Sequence, residues 1–335
     1  MTQPTLAGGR ARTDDAPPSE LPPSSLEPAR RSRGRKRSRD RLAIIVFLTP
    51  ALVLFCLLVL APIVLASYTS LFKWNGFGGA PTNFVGLDNF VRLLDDENFH
   101  KDLWHGLLLV VLSVVVQLPA ALGLALLLNQ RIRGRAFYRL LFFAPYVLSE
   151  VIAAVLFKLL FSPNRGLVNE MLSWVGLGDL GQEWLANPRT VMISLFLVIS
   201  WKYFGFHMIL YLAGRQNIPR ELTESAATEG ASNWQTFWHV TLPLLGPTIR
   251  ISVFLSVIGA IQLFDLVWIL TEGGPDHASE TLAVTMYNNG FRRFEVGYAN
   301  AISMAMFLIS FVFALFYQRF ILRRDIEGAL TTMGR

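Results

Sequence analysis

The sequence predicts an all-α polytopic membrane protein with six transmembrane helices and both termini in the cytoplasm. Three observations predict it. Hydrophobic residues make up 53% of the 335 residues and charged residues only 16%, a balance that suits lipid rather than water as solvent. The apolar residues gather into runs of about 20, the length an α-helix needs to cross about 30 Å of hydrocarbon. Basic residues, finally, are distributed unevenly between alternate connections, and this asymmetry sets orientation.

The six runs are 42–66, 104–128, 140–161, 191–213, 248–270 and 298–320. Of 30 Lys and Arg, ten lie in 1–41, four in 129–139, two in 214–246 and four after Tyr317. The connections on the other side share seven: Lys73, Arg92, Lys101, Arg165, Arg189, Arg292 and Arg293. The positive-inside rule therefore places 1–41, 214–246 and 321–335 in the cytoplasm and 67–103 outside it. The net charge of +6 follows this topology and is no nucleic-acid signature. The single Cys, Cys56, lies within the first run. It offers neither a disulfide framework nor a metal site and reads as an inert core thiol.

Residues 1–41 are rich in Pro, Ser and Arg without apolar periodicity and read as a disordered tail. The polybasic end "RRSRGRKRSRDR" fits topology anchoring and attraction to anionic membrane lipid. No aromatic residues interleave its charges as nucleic-acid binding would want. A secretory signal fits poorly too, because the tail is long and the apolar run after it exceeds a typical signal core. Between the first two runs, "NFVGLDNFVRLLDDENF" has helical spacing after an Asp88-Asn89 pair suited to capping, so a short surface helix is expected. "NRGLVNEMLSWVGL" gives a second. After the fifth run, a Gly-Gly-Pro turn at 273–275 leads into a third. No internal repeat stands out.

The stretch 214–246 interrupts the second half of the chain. Pro219 suits a helix start because it lacks the N–H that would go unpaired there. Glu221 and Glu224 follow where the helix dipole favours carboxylates. Gly230 suits the left-handed residue that ends a helix, and Ser232 with Gln235 has capping-box spacing for the next. Trp234, Phe237, Trp238 and Val240 supply an apolar face, and Leu242-Pro243 is expected to break the run and re-aim the chain. Two readings compete: an interfacial loop with aromatics among headgroups, or a docking element that offers Glu224 to a partner's cation.

Glu-Ala-Ala, three residues, Gly, nine residues, Ile-x-Leu-Pro is the signature of binding-protein-dependent ABC importer permeases. This chain matches it as Glu224, Ser225, Ala226, Gly230, Val240, Leu242 and Pro243, with Ser for Ala and Val for Ile. "NIPRELTESAATEGASNWQTFWHVTLPLLGP", "NFVGLDNFVRLL", "RGRAFYRLLFFAPYVLS", "LTEGGP" and "VGYANAISM" resemble the carbohydrate-uptake branch, that of maltose-type and glycerol-3-phosphate-type permeases. The resemblance implies a type I importer permease fold over 104–320. It also implies a second homologous permease, a cytoplasmic ABC ATPase dimer, an extracytoplasmic solute-binding protein and a sugar substrate. In such a complex the loop is a coupling helix. Glu224 would be its charged contact, Ala226 and Gly230 would permit close approach, and Leu242-Pro243 would pass rotation to the fifth span. No cofactor, metal or catalytic residue is implied. No G-x-x-x-x-G-K-[ST] occurs, so ATP hydrolysis belongs to another subunit.

Polar residues at membrane depth mark a pathway or a buried partner. On the fourth run Trp201, Lys202, Tyr203 and His207 cluster. On the fifth, Ser252, Ser256, Gly259 and Leu263 share a face beside Ala260, and Gln262 and Asp265 form a second stripe next to Phe264 and Trp268. Hydroxyl, amide and aromatic groups together suit a sugar path, with Tyr203, Ser256, Ala260, Gln262, Asp265 and Trp268 as candidates. Interhelical hydrogen bonding is the competing reading, and His207 fits it better. In relatives that bind sugar within the membrane, the resemblance maps ligand contacts onto Ser256 and Ala260, although Ala260 lacks the amide found there in maltose-type permeases. Two further alternatives are an ABC permease for another polar solute and an ion-coupled secondary transporter. The latter would show inverted repeats and broken helices. An intramembrane enzyme finds no matching motif.

Overall fold

The computed structural model describes the backbone of residues 33–322, apart from positions 131 and 165, and side chains from residue 44 onward. Residues 1–32 of the basic tail, and the tail from residue 323, lie outside the described residues. Every described element is helical, save one antiparallel bridge between Phe72 and Phe84. The chain divides into two units, 1–59 and 60–335.

The first unit holds α1 (Arg33–Phe55). It begins well before residue 42, so residues 33–41 are helical and not part of a disordered tail. Arg and Lys are good helix formers, and extending an existing helix needs no new nucleus. All residues from Ile44 to Val59 are exposed, Cys56 among them. The thiol is therefore not a core group, contrary to expectation.

The second unit begins with α2 (Ala61–Thr69) and a surface helix α3 (Asp88–Asp95). Asn89 is no cap: Asp88 already opens the helix, and the Asn89 amide donates to Ser70 O at 2.8 Å and Phe72 O at 3.0 Å. Asp96 caps α4 (Glu97–Leu112), accepting from Asn98 N–H at 2.9 Å, and α5 (Leu118–Leu128) continues it. Next come α6 (Arg135–Val147), α7 (Glu150–Leu160), α8 (Leu167–Trp174) and the long α9 (Val191–Gln216). The loop helices α10 (Arg220–Thr228), α11 (Asn233–Thr236) and α12 (Leu242–Leu244) lead to α13 (Gly246–Ile261) and α14 (Asp265–Thr271). An outer helix α15 (Leu282–Tyr287) precedes α16 (Val296–Tyr317).

Among the described residues, four helical runs are long and apolar enough to cross a membrane: Ile44–Thr69, Glu97–Leu128, Val191–Gln216 and Val296–Leu322. Two bent pairs raise the number to six, α6 with α7 at 98° and α11–α12 with α13 at 63°. Three π-helical turns, Cys56–Leu60, Ser113–Gln117 and Phe237–Thr241, each end two residues before a proline (Pro62, Pro119, Pro243). A proline offers no N–H to the preceding turn and its ring crowds the carbonyl four residues back, so a widened turn relieves both problems without ending the helix.

Two runs expected as single spans are broken. The third parts at Leu148 and Ser149, both extended, where the Ser149 hydroxyl caps α7 by accepting from Ile152 N–H at 3.2 Å. The Leu148 carbonyl freed by the break receives the buried Lys202 ammonium at 2.6 Å. The fifth run parts at Gln262–Phe264 between α13 and α14, and Thr281 donates its hydroxyl to Leu263 O at 2.8 Å. In both places a polar side chain from a distant element pairs with a backbone group that the break exposes, as a dry environment demands.

The core is built around α9. Leu195 and Val198 pack with Ala153, Ala154, Leu266 and Val267, while Met208 and Tyr211 pack against Leu118, Ala121 and Ala125. At Gly205, a Cβ would lie 1.9 Å from Phe142 O, so α6 and α9 approach closely only because that residue has no side chain.

Candidate functional sites: a surface joint and an interhelical cavity

The motif residues are arranged along a chain of short helices. Pro219 precedes α10, and Glu224 and Ser225 are exposed on it, with Ala226 half-buried. Among the described residues Glu224 pairs with no cation. Gly230 takes φ 86°, a left-handed conformation that side chains disfavour. Gly230 N–H donates to Ala227 O at 3.1 Å and Ala231 N–H to Ala226 O at 2.9 Å, the paired bonds of a Schellman stop. Ser232 and Gln235 close a reciprocal capping box at once, with bonds of 2.8 and 3.3 Å. Trp234 is 68% exposed, and its ring contacts that of Trp238 at 5.5 Å.

The bend does not fall at Leu242-Pro243. Val240 lies in the π turn, and Pro243 is accommodated in the first turn of α12. The chain turns at Leu245, Gly246 and Pro247, where the second proline withholds a donor. Leu245 itself is fully buried.

The second site is a cavity of about 390 Å³ among α4, α6, α7, α9, α13 and α14. Ser256, Gly259 and Ala260 reach it from α13 and Leu263 from the break beyond it, whereas Ser252 of the expected shared face does not line it. Gln262 and Asp265 join the same wall rather than a separate stripe, because the helix break between them turns both inward. Tyr203 and His207 line it from α9, Tyr203 donating its hydroxyl to Glu150. His207 is hydrogen-bonded to Ser252 at 2.7 Å, the structural role expected of it. Trp268 lies outside the lining. It stacks on Phe264 at 5.8 Å, touches Tyr287 at 4.5 Å and sits under the Arg292 guanidinium at 4.4 Å.

Among the lining residues outside the six candidates are Ser113, Gln117, Tyr146 and Glu150. Tyr146 forms an aromatic wall, stacked on Phe206 at 4.9 Å and edge-on to Tyr203 at 6.1 Å. Glu150 opens α7 as Asp265 opens α14, so both helix breaks deliver a carboxylate to the cavity, each at the favourable end of its helix. Ser256 donates to Ser113 at 2.7 Å, and Ser113 donates to Gln117 Oε1 at 2.5 Å. Gln117 is only 3% exposed, and its Nε2 has no acceptor among the described residues. A signal was present: Ser113 and Gln117, one turn apart, are the polar residues of an otherwise apolar stretch from Leu107 to Leu128.

Residues 117–325 match the family model described as "Binding-protein-dependent transport system inner membrane component". The chain is 35% identical over 285 residues to YurN, a probable ABC transporter permease of Bacillus subtilis, covering 84% of this chain and 97% of that one. It is 34% identical to SmoG, a sulfoquinovosyl glycerol transport permease of Agrobacterium fabrum (85% and 92% covered), and 32% identical to NgcF, a diacetylchitobiose uptake permease of Streptomyces coelicolor (90% and 89% covered). Among solved structures, a bacterial ABC transporter that imports the acidic polysaccharide alginate superimposes with a TM-score of 0.75 at 27% identity, covering 87% of this chain and 98% of that one. A multi-pass helical chain, it belongs to the binding-protein-dependent transport system inner membrane component family and is a permease subunit of an ABC importer.

Proposed function

We propose that this permease carries a sugar or oligosaccharide through the cavity among α4, α9 and α13. It would work beside a second homologous permease, a cytoplasmic ATPase dimer and an extracytoplasmic solute-binding protein. The cavity's composition carries the reading. It places the rings of Tyr146, Tyr203 and Phe206 beside an unpaired amide donor on Gln117 and the carboxylates of Glu150 and Asp265. Rings suit the C–H faces of a sugar, and amide and carboxylate groups suit its hydroxyls. Relatives named for lactose, diacetylchitobiose and sulfoquinovosyl glycerol support the substrate class. The motif loop, facing the cytoplasm by the charge asymmetry, would seat in the ATPase with Glu224 against a partner cation.

The test is uptake by a strain lacking this gene, given a radiolabelled panel of lactose, diacetylchitobiose and neutral oligosaccharides and complemented with the wild-type chain or Gln117→Leu. Loss of one sugar's uptake on deletion, restored by the wild type and weakened by Gln117→Leu, supports the proposal. Unchanged uptake of every sugar, with loss of an amino acid or peptide instead, transfers the assignment to another polar solute.

A further inference from the structure

Helix α3 has three faces. One is turned into the protein: Asn89 and Leu93 are buried, and Leu93 packs with Phe99, Tyr298 and Ile302. A second is charged. It carries Asp88, Arg92 and Asp95, with Arg92 paired to Glu295 at 2.7 Å and lying 3.9 Å over the Tyr298 ring. The third is apolar and bare. Leu87, Val91 and Leu94, each one helical turn from the next, are 65%, 56% and 65% exposed.

A soluble surface helix normally has two faces, one buried and one wet. A third, apolar face set beside a charged one is what a helix lying in a membrane interface needs. Its depth is fixed by bonds already described: the Asn89 amide clamps α3 to the backbone at Ser70 and Phe72, immediately after α2 ends at Thr69. Exposed aromatic rings also lie between that span and the bare face. Exposed Tyr68 contacts Phe72 at 4.8 Å, and Phe72 contacts Phe84, itself 63% exposed, at 5.3 Å. Two exposed aromatic rings, Tyr68 and Phe84, thus flank the buried Phe72 between the end of a lipid-crossing helix and α3.

We propose that Phe84, Leu87, Val91 and Leu94 insert into the outer leaflet at the boundary between headgroups and acyl chains, so that α3 lies along the membrane surface. The acidic stripe of Asp88 and Asp95 then faces water, away from anionic headgroups. Through Leu93 and the Arg92–Glu295 pair, the seat is tied to the start of α16, so lipid holds the outer ends of α2 and α16 at one level.

The test uses the assembled importer with Cys56→Ser and cysteine-free partners, in nanodiscs of phosphatidylethanolamine and phosphatidylglycerol. Nitroxides are attached at Val91→Cys, Leu94→Cys, Asp88→Cys and Asp95→Cys, one at a time. Accessibility is read with oxygen, which concentrates in acyl chains, and with a nickel chelate, which stays in water. The expected result is an oxygen-to-nickel ratio several-fold higher at 91 and 94 than at 88 and 95. Equal ratios at all four sites would mean that the apolar face is wet. Shielding of 91 and 94 from both agents would mean that a protein partner covers it. Either outcome overturns the proposal. Each labelled protein must retain wild-type ATPase stimulation by the binding protein, so that misfolding is not read as a result.

Discussion

At Gly205 the missing side chain is what lets α6 lie against α9, because a methyl would meet the Phe142 carbonyl at 1.9 Å. Neither partner has a flexible side-chain end that could yield. Gly205→Ala should therefore lower stability by at least the ~1–3 kcal/mol typical of overpacking, seen as a lower melting temperature in detergent. Restored stability would not follow from enlarging any neighbour. Gln117 acts differently. Its carbonyl is engaged by Ser113 while its amide has no acceptor, so Gln117→Leu removes a donor without leaving a new one stranded. If that donor meets substrate, uptake at subsaturating sugar should fall roughly fivefold, about 1 kcal/mol for one neutral hydrogen bond, with the protein folding normally. Arg292 donates to Glu272 at 2.6 Å and holds its carboxyl below the ordinary value of 4.5. A depressed folded value stabilises the folded state fully above the ordinary value, and the benefit is lost as pH falls through the folded one. The pair is exposed, so the effect is small. Thermal melts of wild type and Arg292→Gln should differ slightly at pH 7 and converge well below pH 4.5.

Among the elements, the number and approximate position of the apolar runs were legible in the sequence, since length and hydropathy alone mark a run that lipid can accept. Their breaks were not. Between Leu140 and Phe161 only Pro145 and the local Ser149 cap for Ile152 N–H hint at the 98° turn, because its other stabiliser, Lys202 for Leu148 O, becomes a partner only when α9 packs alongside. Likewise the fifth run hides its break at Gln262–Phe264, secured by Thr281 from beyond the membrane segment. Local grammar was the readable part: the Gly230 stop and the Ser232–Gln235 box depend on residues only a few positions apart. Cavity residues on α13 were legible from helical spacing. Ser113, Gln117 and Tyr146 came from other elements, and only packing brings them there. The capping box makes its own prediction. Ser232→Ala should cost about 1 kcal/mol of local helix stability, measurable as faster amide exchange over residues 233–236 with the spans unaffected.

For the whole molecule, the motif loop and the cavity are joined through α13, which leaves the loop at Gly246 and reaches the cavity at Ser256. Glu224→Ala should strand a partner's cation in a partly dry socket, weakening ATPase association by about 2–5 kcal/mol, and co-purification from mild detergent would show the loss. Gly230→Asp places a side chain at φ 86° and should separate ATP hydrolysis from transport; unchanged uptake would remove the joint from the mechanism. The displaced bend then acquires a meaning. If the loop couples to an ATPase, Leu245, buried at the corner, would be its fulcrum and α13 the arm that reaches the cavity. Ser256 sits ten residues along that arm, about 15 Å from the pivot at ~1.5 Å per residue. A tilt of about 10° would carry it about 2.6 Å on that arm length, as far as the whole span of its bond to Ser113. If the loop is the coupling joint, a modest swing at the surface would be enough to part Ser256 from Ser113, and with it α13 from the turn that follows α4.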